Sequence, residues 1–428
     1  MKIAIAGYGV EGQENYKYWA AESSHEVTIV DERADAGNIY PHGADTMLGP
    51  NVFSQLNGYD LVVRTAGLAP HKISTDGKIW SGTNEFFAKC PAQIIGVTGS
   101  KGKGTTSSLI ASILEAAGYK VWLVGNIGLP ALSVLSQIQP DDIVVYELSS
   151  FQLWDIEKSP HTSVVLFIEQ EHLDVHSGME DYVDAKSNIA RHQNSDDLLI
   201  FNAHNQYAVQ IAQTSAATKV GFPSDLTAHV HDGYFYNGEQ ALCSVDTLHI
   251  KGAHNQENAV AAIDAVWQYT QDPAVIQAGL SNFKGLPHRL AYVATVNGVE
   301  YYDDSIATTP ASAVAALRAF ADKPKVIILG GSYKGSDFST LATELLRHEV
   351  RAILIGDVAQ TIATACEAAG FRNYEIIDHA TAQSFTKRAS ELARQGSVVL
   401  LSPASASFGL FKNYVDRGEQ FIAAVQSL

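Results

Sequence analysis

The stretch Ile94-Ile95-Gly96-Val97-Thr98-Gly99-Ser100-Lys101-Gly102-Lys103-Gly104-Thr105-Thr106 reads as a strand, a glycine-rich loop and the start of a helix. Glycines let successive backbone N–H groups turn toward a phosphate, and a helix N-terminus adds its own positive end. Lys103 has the reach to meet β- and γ-phosphates, and a hydroxyl nearby can hold Mg²⁺. The general pattern G-x-x-x-x-G-K-[ST] is not satisfied: its first glycine falls at Val97 and its hydroxyl position is Gly104. Thr105 is then the candidate Mg²⁺ ligand. A glycine-rich turn of no chemical consequence would not need strand, loop, Lys, Thr and helix in this order. The helix that follows repeats Leu109, Ile113 and Ala117 at every fourth position, with Ile110 and Leu114 beside them, and Gly118 stops it.

Outward from the loop, short apolar runs alternate with helical stretches, the pattern of an α/β protein. Ile3–Ala6, Glu26–Val30 and Leu61–Val63 read as strands before it. Gln93–Val97, Ile143–Glu147, Val164–Ile168 and Leu198–Asn202 form a second group, and Val326–Leu329, Ala352–Ile355 and Val398–Leu401 a third. Continuous Val/Ile/Leu rather than alternation predicts parallel strands buried on both faces. Thr214–Thr247 carries turn residues and short alternating pieces, and reads as an antiparallel insert. Boundaries near Cys90-Pro91 and Gly285-Leu286-Pro287 divide the chain into domains of 1–90, 91–285 and 286–428.

The 428 residues, 46% hydrophobic and 18% charged, suit a globular enzyme of several domains. A formal net charge of −17 argues against nonspecific nucleic-acid binding, which needs basic patches, but leaves room for a nucleotide held locally. No run of about 18 apolar residues suggests a membrane span. The first residues turn into a glycine-rich loop too early for a signal peptide. Cys90, Cys243 and Cys366 form no paired pattern, which fits a reducing cytoplasm. A monomer is expected.

Further motifs follow in order: Gly125-Asn126-Ile127-Gly128-Leu129-Pro130, Glu147-Leu148-Ser149-Ser150-Phe151-Gln152-Leu153, His172-Leu173-Asp174, Asp184-Ala185-Lys186, His254-Asn255 with Asn258, Gly285-Leu286-Pro287-His288-Arg289, Asp303-Asp304-Ser305, and Ser402-Pro403-Ala404-Ser405-Ala406-Ser407. With the phosphate loop T-G-S-K-G-K-G-T-T, they resemble the Mur ligases along essentially the whole chain. The loop alone also resembles folylpolyglutamate synthases. The first 90 residues, with Gly7-Tyr8-Gly9-Val10-Glu11-Gly12 after a strand and Asp31 at the end of the next, favour the Mur reading, because the folate enzymes lack such a domain. A lone G-x-G-x-x-G also fits an NAD-dependent oxidoreductase, but no nicotinamide-side catalytic pair accompanies it.

The resemblance implies three domains: a Rossmann-like domain binding a UDP-linked substrate, a central phosphate-loop ATPase domain with a mostly parallel sheet, and a C-terminal Rossmann-like domain. The implied reaction is ATP-dependent ligation of D-glutamate to UDP-N-acetylmuramoyl-L-alanine through an acyl phosphate, with ATP and Mg²⁺ required. It further implies Lys103, Glu147, His172 and Lys186 as catalytic residues, and Thr105, Glu147, His172 and Lys186 as metal ligands. Lys186 would act as a carbamate, since a bare ammonium repels a cation. Gly99, Ser100, Lys101, Gly102, Lys103, Gly104, Thr105, Thr106, Asn255, Asn258, Arg289 and Asp304 would bind ATP. Gly9, Val10, Glu11, Asp31, Arg33, Thr65, Gly67, Asn126, Ser149 and Gln152 would bind the UDP substrate. Thr308, Lys334, Ser407, Phe408 and Tyr414 would bind glutamate.

Two positions depart from the pattern. Ile306 stands where D-S-K-A-T would place Lys, and Tyr414 where Phe is usual. A D-S-I loop also resembles the variant ligases that add L-glutamate to the same acceptor, so both hands of the amino acid stay open at this point.

Overall fold

The structure, a computed structural model, describes residues 1–33, 40–173, 175–250, 252–332 and 336–428. The expected strands form, but in larger sheets. Lys2–Ala6, Glu26–Asp31, Asp45–Leu48, Leu61–Arg64 and Lys78–Ser81 make a five-stranded parallel sheet. Its spatial order runs third, second, first, fourth, fifth. The order reverses at the first strand, so the crevice beyond its C-terminal end is where such a sheet binds ligands.

The Gln93–Thr98 strand lies inside a six-stranded parallel sheet, between Ile143–Glu147 and Thr162–Val165. Ile95 and Val97 are fully buried, as strands covered by helices on both faces require. A continuous apolar core runs from Ile3 and Val63 of the first sheet, with Trp19 and Phe86 of the helices packed on it, to Val144 and Tyr146 of the second sheet and Leu153 of the helix after it. A third six-stranded sheet opens with the antiparallel pair Ala291–Val296 and Val299–Asp303 and continues in parallel through Val398–Leu401, Lys325–Gly330, Val350–Ile355 and Tyr374–Ile377. Two compact units result, 1–249 with 253–283, and 250–252 with 284–428.

Two segment readings change. The strand expected over Val164–Ile168 is Thr162–Val165. Beyond it the backbone leaves the regular ladder to hold the phosphate loop: Leu166 N–H donates to Thr98 O, and Ser100 N–H donates to Phe167 O. The expected antiparallel insert splits in two. Thr218–Phe222 extends the parallel sheet, and only Ala228–His231, Tyr234–Asn237 and Gln240–Ser244 are antiparallel.

Candidate active site around the phosphate loop

The loop leaves its strand at the centre of the second sheet. Register places Val97 beside Glu147 and Thr98 beside Val165, so the two flanking strands deliver their ends to the loop. Gly102 has φ +85° and caps the Lys103–Ala116 helix without a side-chain hydrogen bond to the first turn. That helix start therefore presents N–H groups with no side-chain cap, as an anion site requires. A Cβ at Gly102 would lie 2.3 Å from Asn258 Oδ1, so this glycine answers both to a left-handed backbone and to a close approach.

Lys103 Nζ donates to Gly99 O and Ser100 O, each at 3.0 Å. Ser100 Oγ bonds to Glu169 O and shares a 2.9 Å contact with the Tyr182 hydroxyl. Lys101 is exposed and pairs with Glu169. Gly104, Thr105 and Thr106 occupy the buried first turn of the helix.

Lys186 comes from the Met179–Arg191 helix and is 1% exposed. Its Nζ donates to Gly99 O at 2.9 Å and to Thr98 Oγ1 at 3.2 Å, and lies 4.8 Å from the centre of the Tyr182 ring. Burial first, then repulsion from Lys103, hold its pKa well below the usual lysine value, although Glu171 and Glu147 act the other way. Lys186 is thus a buried amine shifted toward its neutral form. Glu147 is buried beside it, and Asn126 Nδ2 reaches Glu147 Oε1 at 3.5 Å.

His172 stands in the left-handed region at φ +57°, a strained conformation for a residue with a Cβ. Its carbonyl accepts from the N–H groups of Val175 and His176, which holds the turn. His176 escaped the sequence reading. It is buried, with Nδ1 3.2 Å from Asp181 Oδ2 and Nε2 3.0 Å from Ser150 Oγ, and it stacks on Phe151. Burial lowers its pKa despite Asp181. The only sequence signal for it is its place four residues after His172.

Asn258 is buried. Its Oδ1 accepts from Thr106 Oγ1 at 3.3 Å and its Nδ2 donates to Asn255 Oδ1 at 3.2 Å. Both amides flank the loop helix, and Asn258 touches the loop rather than standing apart from it. Ser149 and Gln152 form a capping box: Gln152 N–H donates to Ser149 Oγ at 3.3 Å, and Ser149 N–H donates to Gln152 Oε1 at 2.9 Å. That reciprocity fixes the turn after Glu147.

At the first sheet's crevice, Asp31 accepts from Tyr8 N–H at 2.7 Å and Arg33 N–H at 2.8 Å, and Arg33 also pairs with it through its guanidinium. Burial opposes its ionisation, but the Arg33 and Tyr8 hydrogen bonds outweigh it and bring the pKa down. Gly9 caps the Val10–Ala20 helix, again with no side-chain cap, and Val10 is exposed. Glu11 is turned inward: its Oε2 accepts from Ala66 N–H at 2.8 Å, between Thr65 and Gly67. Burial raises its pKa. Sequence reasoning also missed Arg64, whose side chain is wholly buried behind this loop.

In the second unit, Asp304 accepts from Ser402 Oγ at 2.6 Å and Leu290 N–H at 3.1 Å. Burial pushes its pKa up to about 7, against Ser402, Leu290 and Arg289. Arg289 is exposed near it. Ser407 is buried, Thr308 half-buried, and Phe408 and Tyr414 are partly exposed. Ser305 Oγ donates to Tyr414 O at 2.7 Å, which joins two of the expected glutamate segments. Lys334 lies outside the described residues. Among the described residues, no group of three or more His, Cys, Asp or Glu side chains is arranged to hold a metal by itself.

This geometry has known counterparts. Residues 97–266 match the Mur ligase middle domain, and residues 288–405 match the Mur ligase glutamate ligase domain. The UDP-N-acetylmuramoylalanine–D-glutamate ligase of Clostridium tetani is 34% identical over 448 residues, covering 100% of this chain and 97% of that protein. Among solved structures, UDP-N-acetylmuramate-alanine ligase MurC of Thermotoga maritima is similar at a TM-score of 0.60 and 16% identity, covering 100% of this chain and 99% of that one. MurF of Acinetobacter baumannii is similar at a TM-score of 0.62 and 18% identity, covering 86% of this chain and 85% of that one. With its parallel α/β sheets and a phosphate loop backed by a buried lysine, the chain belongs to the Mur ligase family.

Proposed function

We propose that this protein joins D-glutamate to UDP-N-acetylmuramoyl-L-alanine, converting ATP to ADP and phosphate, in the synthesis of the peptidoglycan precursor. The observation that carries the reading is the gathering of Lys103, Lys186 and Glu147 at an uncapped helix start, in a chain whose whole length matches ligases that bear this name. The full-length match favours D-glutamate over the L-glutamate variant, and over folate and oxidoreductase chemistry.

A carboxylate is a poor electrophile, so amide formation needs it activated. A substrate carboxylate oxygen takes the γ-phosphoryl group and ADP leaves. The glutamate amine then attacks the acyl carbon, loses a proton, and phosphate departs. Lys103 and the loop N–H groups would neutralise and orient the transferring group, the main demand of such chemistry. The first sheet's crevice, with Gly9, Asp31, Arg33 and Thr65, would hold the UDP end. Asn255, Asn258, Arg289 and Asp304 would hold the nucleotide. Thr308, Lys334, Ser407, Phe408 and Tyr414 would bind glutamate.

The donor set fits Mg²⁺: the Thr105 hydroxyl and the Glu147 carboxylate are hard oxygen donors beside the loop. His172 and a carbamylated Lys186 would supply a second set, and the low pKa of Lys186 makes its amine available to CO₂. When bound, the metal would neutralise phosphate charge. Domains of 1–90, 91–285 and 286–428, a monomeric state and a cytoplasmic location complete the proposal. Among the described residues, no helix is long and apolar enough to cross a membrane.

The test is phosphate release from ATP, omitting each substrate in turn. Release that needs both the UDP acceptor and an added glutamate supports the ligase; release indifferent to the acceptor contradicts it.

A further inference from the structure

Arg64 ends the fourth strand of the first sheet and is fully enclosed. Its side chain gathers two separate pieces of chain. Nη1 faces the carbonyls of Thr65, Ala66 and Leu68 at 3.3–3.4 Å, the loop at the sheet's crevice. Nε donates to Asp155 Oδ2 at 2.7 Å, and Nη2 donates to Asp155 Oδ1 and, at 3.0 Å, to Phe151 O. Phe151 and Asp155 belong to the turn that also carries Ser149 and Gln152. Asn84 secures the same turn, donating to Asp155 O at 2.9 Å and accepting from Glu157 N–H at 2.8 Å. Glu11 meanwhile holds the Ala66 N–H, so the peptide groups on both sides of Ala66 are fixed.

A buried guanidinium is costly to desolvate and persists only when its donors are met. Here the fork geometry of Arg matters, because one ammonium cannot reach a carboxylate and four carbonyls at once. Nothing in the packing of either sheet needs a charge at this position. What the charge does is fix the distance between the Thr65–Gly67 loop and the Ser149–Gln152 turn.

We propose that Arg64 is a positioning residue for the UDP-linked substrate: it locks the loop at one end of that substrate's site to the turn at the other, so that the site is preformed. This rests on the reading of the first-sheet crevice as the UDP site. Preorganisation acts mainly on binding, so its loss should appear in the affinity for this substrate and not in the chemistry.

The experiment uses the full chain with Arg64→Lys, Asp155→Asn and, as a control, Lys78→Ala, which removes an exposed ion pair to Glu157 between the same two regions. UDP binding is measured by calorimetry, and KM for the UDP acceptor, ATP and D-glutamate by steady-state kinetics. For Arg64→Lys and Asp155→Asn, the UDP-acceptor KM and the UDP Kd should rise about ten-fold or more, a loss of roughly 1.4 kcal/mol. KM for ATP and D-glutamate, and kcat at saturation, should change less than about three-fold. Lys78→Ala should match the parent. An unchanged UDP-acceptor KM, or equal losses for all three substrates, overturns the proposal as a mere folding defect would. If the parent protein binds no UDP, the crevice reading itself fails and the proposal falls with it; if it binds UDP but the variants bind equally well, only the role of Arg64 fails.

Discussion

Lys103 and Lys186 donate to the same acceptor, the Gly99 carbonyl oxygen, at 3.0 and 2.9 Å. Two ammonium groups so placed repel, and the wholly buried one yields: burial and Lys103 depress the Lys186 pKa. A depressed lysine pKa means more neutral amine at pH 7–8, and only the neutral amine combines with CO₂. Lys186→Ala should therefore lower kcat by about 100-fold or more, on the scale of losing one preorganised charged group. Short carboxylates should restore part of that activity. CO₂-depleted enzyme should regain activity on bicarbonate addition, and regain it more readily as pH rises from 7 to 8. Activity indifferent to CO₂, with no carboxylate rescue, would count against the carbamate.

Gly102 gives a structural test of the phosphate loop. Its φ of +85° costs a residue with a Cβ about 1–2 kcal/mol. The added methyl would also press on Asn258 Oδ1 and break its bond to Thr106. Gly102→Ala should weaken ADP binding about ten-fold or more, because relieving the strain and the clash shifts the N–H groups that face the phosphates. Calorimetry showing affinity within two-fold of the parent would place the nucleotide elsewhere.

Asp264 lies on the Ala253–Val266 helix, which packs against the antiparallel strands. Its Oδ1 accepts from Ala228 N–H at 2.9 Å and Asn237 Nδ2 at 3.2 Å, while Oδ2 is buried without a hydrogen bond of sound geometry. Burial raises its pKa from 3.8 to about 6. The folded protein thus holds this proton more tightly than the unfolded chain. The stabilisation is complete below about pH 4 and is lost as pH rises through 6. Asp264→Asn should flatten that part of the stability profile and, above pH 7, stabilise the protein by up to about 3 kcal/mol. Denaturant midpoints at pH 5 and 7.5 read it; a variant as pH-dependent as the parent refutes it.

Arg417 performs a related task in the second unit. Fully buried, it donates from Nε to Ser305 Oγ, from Nη2 to Ser305 O and from Nη1 to Ser405 O, at 2.9, 2.7 and 3.2 Å. Burial brings its pKa down to about 10, which leaves it charged at pH 7. It joins the loop leading to Thr308 with the loop leading to Ser407. Arg417→Lys should raise KM for D-glutamate by about ten-fold, more than KM for the UDP acceptor, because a single ammonium loses the bridging fork. Equal effects on both substrates would argue for general loosening.

Much of this was legible in the sequence where one residue type answers to one physical demand. The phosphate loop, the buried strands and the order of the motifs declared themselves because glycine, buried Val/Ile/Leu and a reaching lysine have few substitutes there. The edge strands Asp45–Leu48, Lys78–Ser81 and Tyr374–Ile377 did not, because a half-exposed edge tolerates mixed polarity. Arg64, His176 and Arg417 were silent for another reason. Each owes its place to partners far along the chain, and a buried Arg or His looks in sequence like any surface one. Nor does any spacing show that Glu11, read as a substrate residue, also accepts from the Ala66 N–H of the neighbouring loop.

The central claim is a ligase that adds D-glutamate to a UDP-linked muramoyl-alanine. It is tested most directly by offering the enzyme ATP, UDP-N-acetylmuramoyl-L-alanine and an equimolar mixture of isotope-labelled D-glutamate with unlabelled L-glutamate, then weighing the product. A UDP product heavier by one labelled glutamate residue is the predicted result. A product carrying the unlabelled residue, or no ligated product at all, would contradict it.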